Sequence, residues 1–522
     1  MKNFQTHFCF LFFLVLLNAC GSVQETPLDL EDAAIEDGII QFTFFHINDV
    51  YEIAPLEGGK VGGMARVASL FKQLKSENEN VLFVHSGDFL NPSLLGTLKY
   101  KGERIKGRQM VEVMNQAGVD VVTFGNHEFD LKEKELQARL NESKFIWLGT
   151  NVLHQSGDTL EPFHKEYSGY KDFVPETYIW DIYDKDGTNV KVGIFGATVN
   201  STPKDYVFYE DFYQEAVKAY LELAAKVDVV VGLTHLEMIQ DMKLASLLPS
   251  VPLIMGGHDH ENIIDTIGQV VIAKADANAK TAYVHHFTYY KQSKTFALSS
   301  ELVPITGEIP DEPQVGSTVE KWNNIQNELI GQIIADPYEV VYEAFLPLDG
   351  REKSVRNRQT NLGNFITAAM SAADTKPVDG AILNSGSIRL DDQLEGEVLA
   401  MDLFRAMPFG GSIFEVDMRG NLLKQVLDAG LENTGLGGYL QWDKIRFDAK
   451  NKTWQINDKP LSQQRNYRIA VSDYLLTGHE SRLGFFTKEN KDILKIDRPK
   501  KGDSNDLRSD IRKAVIAYLK KL

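Results

Sequence analysis

Beyond residue 39, short apolar runs rich in β-branched residues alternate with stretches whose apolar residues recur every three or four positions. The first pattern belongs to strands and the second to helices that bury one face. In the first half, strands are predicted at 42–47, 81–85, 119–124, 191–196, 227–233 and 252–255. Several end in Gly, Asp, Asn or His, which puts polar residues in the loops at strand ends, where scaffolds commonly hold functional side chains. Pro304, Pro310 and Pro313 interrupt the pattern, and Val319, Trp322, Ile325, Leu329 and Ile333 then predict a connecting helix over 318–333. After Tyr338 the alternation resumes with a helix at 361–373 and strands at 380–383 and 467–471; no segment repeats internally. Mixed strands and helices throughout predict an α/β (α+β) chain.

A length of 522 residues exceeds the roughly 250 to 300 that one core holds, so two domains are expected. The hydrophobic fraction of 43% and charged fraction of 25% are those of a folding chain, and a net charge of -18 argues against a nucleic-acid partner. The same charge means that any phosphate site needs local cations. Residues 1–19 have a basic Lys2, an apolar run at 8–17 and small residues after it, the pattern of a signal peptide. That run falls short of the roughly 20 residues of a membrane-spanning helix. Leu17-Asn18-Ala19-Cys20-Gly21 resembles the lipobox of bacterial lipoproteins, with the less usual Asn18. The resemblance implies lipidation at Cys20 and anchoring to a bacterial membrane, periplasmic or at the cell surface. The other cysteine, Cys9, lies in the segment to be removed, so the mature domains hold no disulfide. Residues 20–38 are expected to be a tether, acidic over 23–37 and without sustained pattern.

Five stretches place oxygen or nitrogen ligands directly after an apolar run: His46-Ile47-Asn48-Asp49, Ser86-Gly87-Asp88, Gly125-Asn126-His127-Glu128-Phe129-Asp130, Leu233-Thr234-His235 and Gly257-His258-Asp259-His260. Carboxylates, an amide oxygen and neutral imidazoles are what borderline divalent metals accept. A single aspartate after a strand is usually a turn former; an ordered series of such stretches points to a metal centre. His46 and His85 fit a core or second-layer role better than ligation, and His285 and His286 lie outside these stretches.

In this order, from about residue 40 to 300, the motifs resemble the metallophosphoesterases, specifically the 5'-nucleotidase branch. The resemblance implies a four-layer α/β/β/α sandwich over 39–305, a linker with the connecting helix over 306–337, and a C-terminal α/β substrate-recognition domain over 338–522. It implies two divalent metal ions (Zn, Mn, Co, Fe or Mg). Asp88 would bridge them, Asn126, His235 and His258 would complete one, and Asp49 and His260 would serve the other. His127, oriented by Asp130, would be catalytic. The family normally has a histidine two residues after the first aspartate, where this chain has Tyr51. Tyr51 leaves three outcomes open: a phenolate ligand favouring a harder ion, a water in its place, or a weakly held metal.

The second half resembles the 5'-nucleotidase C-terminal domain through Arg356-Asn357-Arg358-Gln359-Thr360-Asn361-Leu362-Gly363-Asn364, Asn384-Ser385-Gly386-Ser387-Ile388-Arg389 and Pro408-Phe409-Gly410-Gly411. By that resemblance Arg358 and Arg389, with Arg356, face the phosphate or ribose, where guanidinium forks suit anionic oxygens. Asn384 and Gly386 would border the base, with Phe409 and Tyr474 as the walls of an aromatic clamp. Where the family has Gly-Asp-Gly-Phe, this chain reads Gly478-His479-Glu480-Ser481, leaving Glu480 for the ribose hydroxyls. Separation of these groups from the metal ligands implies a cleft and a hinge between domains. The expected activity is hydrolysis of nucleoside 5'-monophosphates to nucleoside and phosphate outside the cytoplasmic membrane. Two alternatives stand beside it: a phosphoesterase acting on cyclic nucleotides, nucleotide sugars or another small phosphoester, and a non-catalytic nucleotide-binding surface lipoprotein.

Overall fold

The computed structural model describes residues 36–522 apart from 375, 391, 501, 502 and 504, so the signal segment, Cys20 and nearly all of the tether lie outside the described residues. Two six-stranded sheets dominate the first half. One runs in the order Thr295–Pro304, Thr281–Tyr290, Ile39–Ile47, Val81–His85, Val121–Thr123, Ile146–Leu148. The other runs Thr177–Tyr183, Asn189–Thr198, Val229–His235, Leu253–Gly256, Val270–Lys274, Ile263–Ile267. In each, the strands that carry the motifs are parallel to their neighbours within the central block, so their C-terminal ends line up.

The continuous apolar runs have a direct cause: each central strand is covered on both faces. Phe42, Phe44 and Val84 of the first sheet meet Ile194, Val231 and Leu233 of the second in one core. The alternate residues Phe45, Ile47 and Phe83 pack under helices Met64–Glu77 and Arg108–Ala117. On the far side Phe195, Val230 and Ile254 pack under Phe212–Ala224 and Met238–Leu247. The result is the expected α/β/β/α sandwich.

The connecting helix spans Pro313–Gly331, starting earlier than 318 because Glu312 accepts from the Val315 amide and Pro313 stands in the first turn, where its missing N–H costs nothing. It is bound to the first domain by Val315, Val319 and Trp322, and the Trp322 indole donates to Glu112 at 3.0 Å. Beyond it, a five-stranded sheet runs Leu440–Asp443, Gly380–Asn384, Asn466–Ser472, Ile413–Arg419, Ile493–Asp497. Helices Asn361–Ser371 and Ile511–Leu519 cover one face, and Gly420–Glu432 the other. No helix among the described residues is long and apolar enough to cross a membrane.

Candidate metal centre and substrate cleft

Each predicted metal ligand sits at or just beyond the C-terminal end of a strand: Asp49 after Ile39–Ile47, Asp88 after Val81–His85, Asn126 after Val121–Thr123, His258 and His260 after Leu253–Gly256. Strand Val229–His235 runs two residues past its predicted end, making His235 its last residue. The structure brings the set together. Asp88, His235 and His258 offer ligand atoms within 4.8 Å of one another, as do Asp49, Asp88 and His260, so Asp88 is common to both triads. Asn126 Oδ1 joins the first triad, 3.2 Å from His235 Nε2.

The donor set tests whether a cation fits. His235 Nδ1 lies 2.7 Å from the Ser86 carbonyl, an acceptor, so Nδ1–H donates there and Nε2 presents its lone pair inward. That lone pair faces Asp88 Oδ2 at 3.1 Å and Asn126 Oδ1 at 3.2 Å, with Asp49 Oδ1 at 4.0 Å. Acceptors converging on acceptors repel unless positive charge lies among them, which is the arrangement a divalent metal relieves. Burial pulls the His235 imidazole down, yet the Asp88 and Asp49 carboxylates push it up to about 9, the same demand for positive charge. Burial and the neighbouring His235 hold His258 down at about 4, leaving it the neutral imidazole that ligation requires.

Four of the predicted ligands stand in strained backbone. Asp49, Asp88, His258 and His260 all have positive φ, at 53°, 60°, 81° and 62°. Left-handed conformations at residues other than glycine cost about 1 to 3 kcal/mol each and persist only where the surroundings impose them. The surroundings do so through two charged residues that the sequence reading gave no role. Glu128, fully buried, accepts from the amides of Asp88, Phe89, Leu90 and Gly125 at 2.7 to 3.1 Å, joining two ligand loops. Lys274, also fully buried, donates to the carbonyls of Leu236 and Gly257 at 2.6 and 2.9 Å and is flanked by Asp241 and Asp259. It ties the loop after His235 to the loop carrying His258. Gly87 (φ 81°) leaves no room for a side chain, since a Cβ would lie 2.5 Å from the Gly125 amide nitrogen.

Beside the triads, His127 Nδ1 lies 2.7 Å from Asp130 Oδ2. Burial lowers the His127 imidazole, but Asp88 and Asp130 outweigh it and the net direction is upward. Asp130 is itself held by Asn91 Nδ2 at 2.9 Å and by Arg389 Nη2 at 3.1 Å. Tyr51 is buried, and its hydroxyl lies 3.2 Å from Asp88 Oδ2 and 3.0 Å from His260 Nε2. The phenol thus occupies the edge of the second triad.

The residues predicted to bind substrate separate into groups. Arg389 crosses the domain boundary to Asp130, and Glu352 links it at 3.8 Å to Arg356 at 2.5 Å. Asn384 Nδ2 donates to Glu480 Oε2 at 3.0 Å, and Gly386 packs against Gly437 beside them. Burial raises the Glu480 carboxyl, against the pull of Ser481, Asn384 and Arg356. Phe409 and Tyr474 stand on adjoining loops, joined where the Asp473 amide donates to the Ser412 carbonyl at 2.9 Å, with 52% and 44% of their surface exposed. Arg358 is the outlier. Its side chain, 65% exposed, is held by Asp349 and Ser354 at 3.0 Å. Further ion pairs close the domains on each other, Lys280 with Asp392 and Arg405 with Glu52.

Family models match in two blocks, the calcineurin-like phosphoesterase at 42–262 and the 5'-nucleotidase C-terminal domain at 330–488. A trifunctional nucleotide phosphoesterase protein of Bacillus subtilis is 26% identical over 85% of this chain, which spans only 32% of that protein's length. The venom 5'-nucleotidase of Naja atra is 25% identical, covering 84% of this chain and 91% of its own. The crystal structure of a 5'-nucleotidase precursor from Thermus thermophilus superposes with a TM-score of 0.67 at 24% identity, over 92% of this chain and 96% of that one.

Proposed function

The chain belongs to the 5'-nucleotidase family and is a metal-dependent phosphoester hydrolase, and from that premise we propose that it converts nucleoside 5'-monophosphates to nucleoside and phosphate outside the cytoplasmic membrane. Asp88, Asn126, His235 and His258 would hold one divalent ion, and Asp88, Asp49 and His260 a second. When bound, such a pair supplies the Lewis acidity that activates water and offsets charge on the phosphoryl oxygens. The protein's own part is positional and protonic. Asp130 holds His127 through Nδ1, leaving Nε2 to donate a proton toward the leaving oxygen. Arg389, already beside this pair, meets the substrate's anionic oxygens.

The observation that carries the nucleotide reading is the pair of exposed rings, Phe409 and Tyr474, on adjoining loops of the domain whose Arg389 reaches the metal centre. A flat base between two rings gains about 1 to 3 kcal/mol of stacking with little base selectivity. Asn384 and Glu480, already hydrogen-bonded to each other, border the base and ribose. The division of labour runs over domains 39–305 and 338–522 with the linker 306–337 between them, and lipid on Cys20 anchors the chain to a bacterial membrane. Phosphate release from AMP, cyclic AMP, UDP-glucose and an aryl phosphate, after chelation and with Mn, Zn, Co or Mg restored, tests the reading. AMP is expected to be turned over fastest. Release from the aryl phosphate with none from any nucleotide would sink it, and preference for cyclic AMP or UDP-glucose would transfer the site to those esters.

A further inference from the structure

A third ligand cluster lies on the hairpin 152–161 and the strand His164–Tyr167, between the two large sheets in chain order, and shares no residue with the metal centre. His154 in strand Val152–Ser156 stands directly opposite Glu161 in strand Thr159–Glu161, and His164 follows three residues later. Each offers one ligand atom, and the three atoms lie within 4.8 Å of one another. Two imidazoles and a carboxylate are the ligand types of a zinc site.

His164 supplies the second, independent observation. Its side chain is 8% exposed, and Nδ1 is buried without a hydrogen-bond partner. Glu161 Oε1 stands 3.9 Å from it, too far for a hydrogen bond. Two bonds of about 2.05 Å at the tetrahedral angle span about 3.3 Å, so the pair would close by roughly 0.6 Å around a zinc ion. A buried ring nitrogen with nothing to bond to costs about 1 to 3 kcal/mol, and nothing in the apolar packing against Phe173 relieves it. Burial and Lys171 hold the His164 imidazole below its ordinary value, neutral as a ligand must be. Glu133 Oε1, 2.7 Å from His154 Nε2, fixes the other ring in the way carboxylates orient metal-ligating histidines. Lys171 Nζ occupies Glu161 Oε1 at 2.6 Å, so this carboxylate shares its charge between the ammonium and the ion.

We propose that His154, Glu161 and His164 bind a zinc-class divalent cation, separate from the catalytic centre, which staples the 152–161 hairpin to strand His164–Tyr167 beside the helix Glu133–Glu142. That helix begins just after Asp130, and Gln137 on it already donates to the His164 carbonyl at 2.8 Å. The test uses the full chain, stripped by chelation, reloaded with zinc alone and dialysed, with zinc counted by elemental analysis. His154→Ala combined with His164→Ala is expected to hold one zinc fewer than the unaltered chain, to show a smaller zinc-dependent rise in Tm, and to keep its manganese-supported phosphate release. An equal zinc count in the two proteins overturns the proposal. Glu161→Gln, at a partly exposed position, guards against misfolding of the double variant: weakening of one zinc-binding step by more than about 10-fold is expected, and an unchanged isotherm overturns the proposal.

Discussion

The metal centre and the substrate-recognition face are built on opposite physical terms. At the metal centre the predicted ligands Asp49, Asp88, Asn126 and His235 are buried and His258 and His260 partly so, four of the six stand in left-handed backbone, and Glu128 and Lys274 lock their loops from behind. On the recognition face the two rings are about half exposed, Glu480 is held by Asn384 and the Ser481 amide, and Arg356 pairs with Glu352. Rigid, strained ligand loops preserve one geometry, which phosphoryl chemistry requires. Exposed rings and side-chain pairs can change partners at low cost, so substrate preference can drift while the chemistry stays. The departures Tyr474 and Glu480 fall on the adjustable side, and Tyr51 is the exception inside the fixed one.

Four substitutions sharpen or break this contrast. Asp88→Asn, which strikes both triads, is expected to lower kcat on the order of 10³-fold or more and to release metal, read by initial rates and elemental analysis. Retained activity would show that the shared carboxylate does not unite the centre. His127→Ala should lower kcat about 10²- to 10⁴-fold with metal content unchanged, separating proton transfer from ligation. Asp130→Asn should cost less and should also move the pH profile. His127 acts protonated, so activity falls as pH rises through its pKa; Asp130 raises that pKa, and its loss shifts the alkaline limb to lower pH. On the recognition face, Arg358→Ala is expected to change KM and stability by no more than about 0.5 kcal/mol, because this side chain is largely exposed and turned toward Asp349.

The legibility of the two regions differs for the same physical reason. The predicted metal ligands follow strand ends in short contiguous motifs, so the stretches carrying Asp49, Asp88, Asn126, His235, His258 and His260 stood out in the chain, while their ligand roles came from the resemblance. The sandwich was implied by the motif resemblance alone; the runs 42–47 and 81–85, apolar but for Thr43, His46 and His85, predicted strands, and cover on both faces explains their composition. Glu128 and Lys274 gave no such signal, because their partners, backbone groups and for Lys274 also Asp241 and Asp259, lie largely on other segments of the chain. Lys274 leaves a faint trace, a lone cation ending the apolar strand Val270–Lys274. Proline misled at the connecting helix, where Pro313 starts the helix it was read as preceding. Arg389 and Arg358 occupy neighbouring motifs and look alike in sequence, yet one reaches Asp130 and the other turns to Asp349, a difference set by domain packing.

The most direct test of the account is kcat/KM for AMP against an aryl phosphate, measured with one metal in the unaltered chain and in Phe409→Ala combined with Tyr474→Ala. The unaltered chain should prefer AMP, and the double substitution should raise KM for AMP about 5- to 100-fold while leaving the aryl ester and metal content unchanged. A parallel fall on both substrates, or no fall on AMP, would contradict a nucleotide-recognising face joined to an independent metal centre.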